Sequence, residues 1–262
     1  MSITKEEVAG LKARGFLRNR GTDAFSGRVV VAGGVYSADD LKSIAQCAEL
    51  YGNGKVTFTS RLSAEIVGIP AEKVEDAVNF LAERGLYFGG AGARVRPITA
   101  CKGTVCVFGI LDTQGLARAL HERFYIGMHD VTLPHKFKIG VGGCPNSCMK
   151  PSLNDVGVEA RMRYNNETKQ AEKVWLVSVG GTWGKTRRDG TPLSFTVTPE
   201  KVEDTVLAIL LWYRENGYRG ERLGMTVDRV GIASLEAAIL DGSLLARKDA
   251  ILAAAITERP AE

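Results

Sequence analysis

Two tight pairs of cysteines, Cys101 with Cys106 and Cys144 with Cys148, constrain this chain more than any other feature. The second pair sits in Gly142-Gly143-Cys144-Pro145-Asn146-Ser147-Cys148, a turn-rich stretch in which backbone amides can point at sulfur. A fold that uses the thiols together must bring two loops far apart in sequence to one place. Four thiolates from two clustered pairs suit an iron–sulfur cluster. The C-x4-C and C-x3-C spacings are looser than the C-x2-C knuckles of structural zinc, and no histidine lies close enough to complete either pair. Zinc, or four structural cysteines acting as small hydrophobes, are the alternatives. Cys47, mid-helix in Ile44-Ala45-Gln46-Cys47-Ala48, reads as a packing residue.

With 262 residues, 45% of them hydrophobic and 24% charged, the composition is that of a globular protein with room for one large core or two smaller ones. The first residues, Met1 to Val8, are polar and charged, and no run approaches the length needed to span a bilayer. A cytoplasmic protein with no membrane partner is expected. An odd number of cysteines argues against a disulfide framework and for metal binding. The net charge of +4 comes without a Lys/Arg tract, so nucleic acid is not an expected partner.

Along the chain the pattern predicts a strand over 28–35, then a helix capped by Ser37 that runs to about Leu50. Strands follow at 55–60 and 64–67, and a helix opened by Pro70 continues through Val74, Val78 and Leu81 to end at Gly85. Strand-like residues at 93–98 close a β-α-β-β-α-β order, that of a ferredoxin-like unit. Beyond Pro97, glycines and basic residues gather around the cysteines and around Gly180-Gly181-Thr182-Trp183-Gly184-Lys185-Thr186-Arg187-Arg188. A helix is expected over 114–125, strands over 136–141 and 173–179, and an amphipathic helix over 200–216 that Gly217 terminates. The expected class is α+β, with an extension at 1–24, a ferredoxin-like half-domain at 25–96 and a second α+β domain at 97–262.

Three segments carry a family resemblance: Thr99-Ala100-Cys101 to Gly109, Gly143 to Cys148, and Asn154-Asp155-Val156-Gly157. They resemble the siroheme and 4Fe-4S domain of sulfite and nitrite reductases. Upstream, Tyr51-Gly52-Asn53-Gly54 through Thr59-Ser60-Arg61 to Gly68-Ile69 resembles that family's ferredoxin-like half-domain. Gly180 to Gly184 resembles its glycine-rich cofactor loop. The first cysteine gap is one residue shorter than in many members, and the chain has one of the two related halves that large members fuse.

The resemblance implies that Cys101, Cys106, Cys144 and Cys148 ligate a 4Fe-4S cluster, with Cys148 sharing its sulfur with siroheme iron. It implies paired active-site lysines at Lys136 and Lys138, and substrate-binding arginines at Arg61 and Arg96. As strand residues two apart, the lysines should share a face. The carboxylates of siroheme call for cations and amides, for which Asn146, Lys150, Lys185 and Arg187 are candidates, with Lys102, Arg161, Arg163 and Arg188 nearby. No flavin or nicotinamide fingerprint is present, so electrons should come from a separate ferredoxin or flavoprotein. The expected activity is reduction of a small oxyanion, sulfite to sulfide ahead of nitrite to ammonia. A noncatalytic iron–sulfur electron-transfer or redox-sensing protein is the competing reading. Either the single half suffices, or a homodimer completes the pocket.

Overall fold

The computed structural model describes residues 3–260, and the chain divides into two compact units at Gly92/Ala93. Residues expected to form a separate N-terminal extension belong to the first unit, and Arg96 belongs to the second.

The first unit contains α1 (Lys5–Ala13), β1 (Phe16–Arg18), β2 (Ala24–Val30), α2 (Ala38–Tyr51), β3 (Val56–Phe58), β4 (Ala64–Pro70), α3 (Val74–Ala82) and β5 (Tyr87–Phe88). Ser37 caps α2 as expected, in a box where its hydroxyl accepts from the Asp40 amide while the Asp40 carboxylate accepts from the Ser37 amide. α2 turns Ile44, Cys47 and Ala48 inward and α3 turns Val74, Ala77 and Leu81 inward, the spacing of one helical face. They cover an antiparallel sheet in which β2 lies between β5 and β4, with β3 outside β4 and β1 alongside β2. The order β5-β2-β4-β3 is that of the ferredoxin-like unit. Its closing strand is β5, not the 93–98 segment, which contributes only a bridge between Val95 and Phe137 in the second unit. β2 also begins and ends earlier than expected, because Gly33 and Gly34 turn the chain in left-handed geometry. Cys47 is fully buried in this core, and burial pushes its thiol up to about 12, as befits a packing residue.

The second unit holds β6 (Thr99–Ala100), α4 (Thr113–Leu120), β7 (Ile139–Gly142), β8 (Val156–Asn165), β9 (Gln170–Val179) and β10 (Thr191–Pro192). These are followed by α5 (Val202–Asn216), α6 (Leu223–Val230), α7 (Ile232–Leu240), α8 (Ser243–Ala246) and α9 (Lys248–Ala253). The sheet order is β10-β9-β8-β7-β6; β6, β7 and β8 run parallel, while β9 and β10 are antiparallel. α5 is buried on nearly every face from Thr205 to Arg214, since α6 to α9 pack around it. It ends at Gly217 as expected.

Two expectations in this unit need correction. The helix over 114–125 is regular only to Leu120; His121–Ile126 form a wider π-helical turn that the Gly127 amide closes onto the Glu122 carbonyl. The strand over 136–141 begins at Ile139, because the Lys138 amide donates to the Asp155 carboxylate instead of to a ladder partner.

Candidate active site

The parallel pairing of β6 with β7 sets Ala100 opposite Val141, so both strands leave the sheet at the same edge. Both cysteine loops start there. The Cys101 amide donates to the Val141 carbonyl (3.1 Å), the Ile110 amide to the Gly143 carbonyl (2.9 Å), and the Gly143 amide to the Cys101 sulfur (3.2 Å). A Cβ on Gly143 would stand 2.8 Å from the Gly103 Cα, so the loops approach this closely only because both positions are glycine. Cys106 follows a 3-10 turn at Gly103–Val105, and its carbonyl accepts from Gly109. In the second loop Ser147 and Lys150 take left-handed backbone, which coils the chain around Cys148.

All four thiols are free, Cys148 exposed and the others half-buried. Among the described residues, no three His, Cys, Asp or Glu side chains converge on a single metal-ion position. A cubane takes each thiolate at a different corner, so its ligands ring a volume instead of converging on one point. The soft all-sulfur donor set, and an amide already directed at one sulfur, fit such a group. Carboxyl ends of parallel strands are also where ligands of α/β sheets sit.

The cations expected for siroheme carboxylates differ in setting. Lys150, Lys185, Arg187 and Lys102 are exposed, and so is Asn146. Lys185 and Arg187 ride on a hairpin closed by Thr182 and Arg188, where the Arg187 guanidinium lies 5.7 Å from the Trp183 ring. Arg161, Arg163 and Arg188 are already paired with Glu159, Glu172 and Asp228. Gly181 lies so close to the Ser152 carbonyl that no side chain fits between them, which ties this hairpin to the segment after Cys148.

A second group gathers at the opposite end of the parallel strands. Phe137 is fully buried against Tyr213, with ring centroids 6.0 Å apart, and its backbone pairs with Arg94 and Arg96. Lys136 and Lys138 flank it, and both are half-buried. Arg96 donates its amide to the Phe137 carbonyl (2.8 Å). Burial, then the Arg222 and Arg96 charges, hold Lys136 below the ordinary lysine range, and only Asp155 opposes them. His135 is likewise lowered, by burial and the same cations together with Lys136. Arg61 belongs to the first unit, in the turn between β3 and β4, where its amide donates to the Thr59 hydroxyl (3.2 Å).

Sequence reasoning did not find Asp155 as an ion-pair partner, nor Arg222 at all. Asp155 is fully buried and accepts three hydrogen bonds from the Arg222 fork at 2.8–3.1 Å. Its neighbours in Asn154-Asp155-Val156-Gly157 were a visible signal, but a contact spanning 67 positions leaves no local trace.

Comparison with known proteins places these features. The model described as "Nitrite/Sulfite reductase ferredoxin-like half domain" matches residues 18–84, and "Nitrite and sulphite reductase 4Fe-4S domain" matches 91–243. A coenzyme F420-dependent sulfite reductase of Methanocaldococcus jannaschii is 40% identical over 50% of this chain, which spans 20% of that protein's length. An assimilatory-type sulfite reductase of Nitratidesulfovibrio vulgaris is 30% identical over 79% of this chain and 88% of its own. In fold, the NirA protein of Mycobacterium tuberculosis superposes with a TM-score of 0.78 over 99% of this chain and 49% of its own, at 21% identity. With the 4Fe-4S domain model covering more than half of its residues, the chain belongs to the nitrite and sulphite reductase 4Fe-4S domain family.

Proposed function

We propose that this oxidoreductase uses siroheme and a 4Fe-4S cluster to reduce a small oxyanion, sulfite to sulfide in preference to nitrite to ammonia. The observation that carries the reading is the half-buried group in which the Arg96 and Arg222 charges act on Lys136 while Asp155 holds Arg222 and the Lys138 amide. Gathered cations of this kind attract an anion.

Cys101, Cys106, Cys144 and Cys148 would hold the cluster, with Cys148 shared with siroheme; Lys150, Lys185, Arg187 and Asn146 would anchor siroheme carboxylates. When bound, the two cofactors would relay six electrons from an external donor to the oxyanion, whose oxygens would leave as water. Around them the chain's own residues do two things. Arg96 and the lysines bind and orient the anion. Lys136, its pKa brought down by burial and neighbouring cations, donates protons to departing oxygen.

The cations precede β6 and β7 and the cysteines follow them, so Lys138 and Cys144 are separated by up to ~20 Å of extended chain. A homodimer in which the cysteines of one copy and the cations of the other serve one macrocycle would bring the two groups together. Electrons would come from a separate ferredoxin or flavoprotein. Steady-state turnover with reduced viologen tests the proposal: a higher kcat/KM for sulfite than for nitrite is expected, and no turnover of either by cofactor-replete protein would refute it.

A further inference from the structure

Asp155 and Arg222 do more in this geometry than neutralise one another. The Asp155 carboxylate accepts from Arg222 Nε (3.1 Å) and Nη2 (2.8 Å to each oxygen), and its Oδ2 also accepts from the Lys138 amide (2.9 Å). The next amide, that of Val156, donates to the Lys138 carbonyl (3.0 Å). Lys138 is thus gripped on both sides of its backbone by residues 155 and 156. Arg222 is itself fixed as the residue preceding α6. Its neighbour Glu221 is committed elsewhere, to Arg229 (2.7 Å) and Thr226 (3.1 Å), which leaves the Arg222 fork for Asp155. Charged and titratable groups reach Lys136 from four directions: His135 on its own segment, Arg96 from the stretch before β6, Arg222 from the start of α6, and Asp155 from the start of β8. Tyr213 of α5 lies against the Asp155–Arg222 pair.

We infer that Asp155 and Arg222 are positioning residues of the anion site: the buried carboxylate locks the Lys138 backbone and holds the Arg222 guanidinium beside Lys136. The inference rests on the oxyanion reading of this site. One carboxylate shared between a guanidinium and a backbone amide fixes the geometry of both, which is what an anion-binding site requires.

Lysine side-chain NMR on the full chain reads the Lys136 pKa, and calorimetric titration reads sulfite affinity; neither needs turnover. Arg222→Gln removes a like charge and leaves Asp155 unopposed, so the Lys136 pKa should rise by about one pH unit and sulfite binding should weaken at least about tenfold. Arg222→Lys keeps the charge but not the fork, and should hold the Lys136 pKa near its native value while sulfite binding stays weak. A merely structural pair would lower stability and leave sulfite affinity native in the folded variant. A folded Arg222→Gln variant with native sulfite affinity would overturn the inference. If Arg222→Gln does not fold, Asp155→Asn with Arg222→Gln leaves no orphaned charge, and native sulfite affinity in that variant would overturn it equally. A Lys136 pKa that rises as stated in a protein that binds no sulfite would keep the positioning pair and remove the oxyanion reading.

Discussion

The two ends of the parallel strands β6, β7 and β8 are organised by different forces. At the carboxyl end the cysteine loops meet through glycine contacts and backbone hydrogen bonds, and large apolar side chains stand in solvent: Val105 is 73%, Val107 92% and Phe108 64% exposed. At the amino end Asp155 has no exposure at all, and the lysine segment is pinned by a buried aromatic pair and a forked ion pair. The contrast shows where each end draws its order. The cation end is ordered by the protein's own charges, whereas the cysteine end is where, in the proposed function, the cluster and siroheme would bind.

Variants can break this contrast from either side. The largest effect is expected from Cys148→Ser, which removes the proposed shared thiolate: coupling between cluster and siroheme should be lost, and turnover with it. Stoichiometric siroheme with an intact, coupled cluster in that variant would contradict the assignment. Lys136→Ala with Lys138→Ala should leave both cofactors in place and lower kcat by about 10²–10⁴-fold, the usual worth of a positioned proton donor. As the proposed proton donor Lys136 acts in its protonated form, so the rate should fall as pH rises, through a pKa below the ordinary lysine range. Unchanged kinetics in the double variant, or an alkaline limb at the ordinary lysine pKa, would return these residues to the surface. The smallest effect is local. Removing the cofactors should speed amide exchange at 101–109 and 143–150 while 136–142 and 155–160 stay protected; equal loosening of both ends would erase the distinction.

Much of the first unit was legible because its signals are local. Ser37, the acidic residues after it and the inward spacing of Ile44 and Cys47 determine a helix within a single window, and Gly85 ends the next one in left-handed geometry. The last strand was misplaced because Tyr87–Phe88 is two residues long and Phe88 packs on Phe16, a partner no window contains. In the second unit the cysteine loops stand out by composition, and the lysines are candidates only through their resemblance to the family. Arg222 was not legible, because its meaning depends on Asp155 and on where α6 begins. The helices from Leu223 to Ala253 also escaped notice, being short segments whose apolar residues are decided by packing around α5. No helix among the described residues is long and apolar enough to cross a membrane, in keeping with the absence of such a run in the sequence.

In the proposed function the cysteine end holds a cluster joined to siroheme. An absorption spectrum of the anaerobically purified protein tests it most directly. Siroheme bands together with an iron–sulfur shoulder are the predicted result. A cluster spectrum without siroheme would mark an electron carrier or redox sensor, and a colourless, zinc-containing protein would contradict the account altogether.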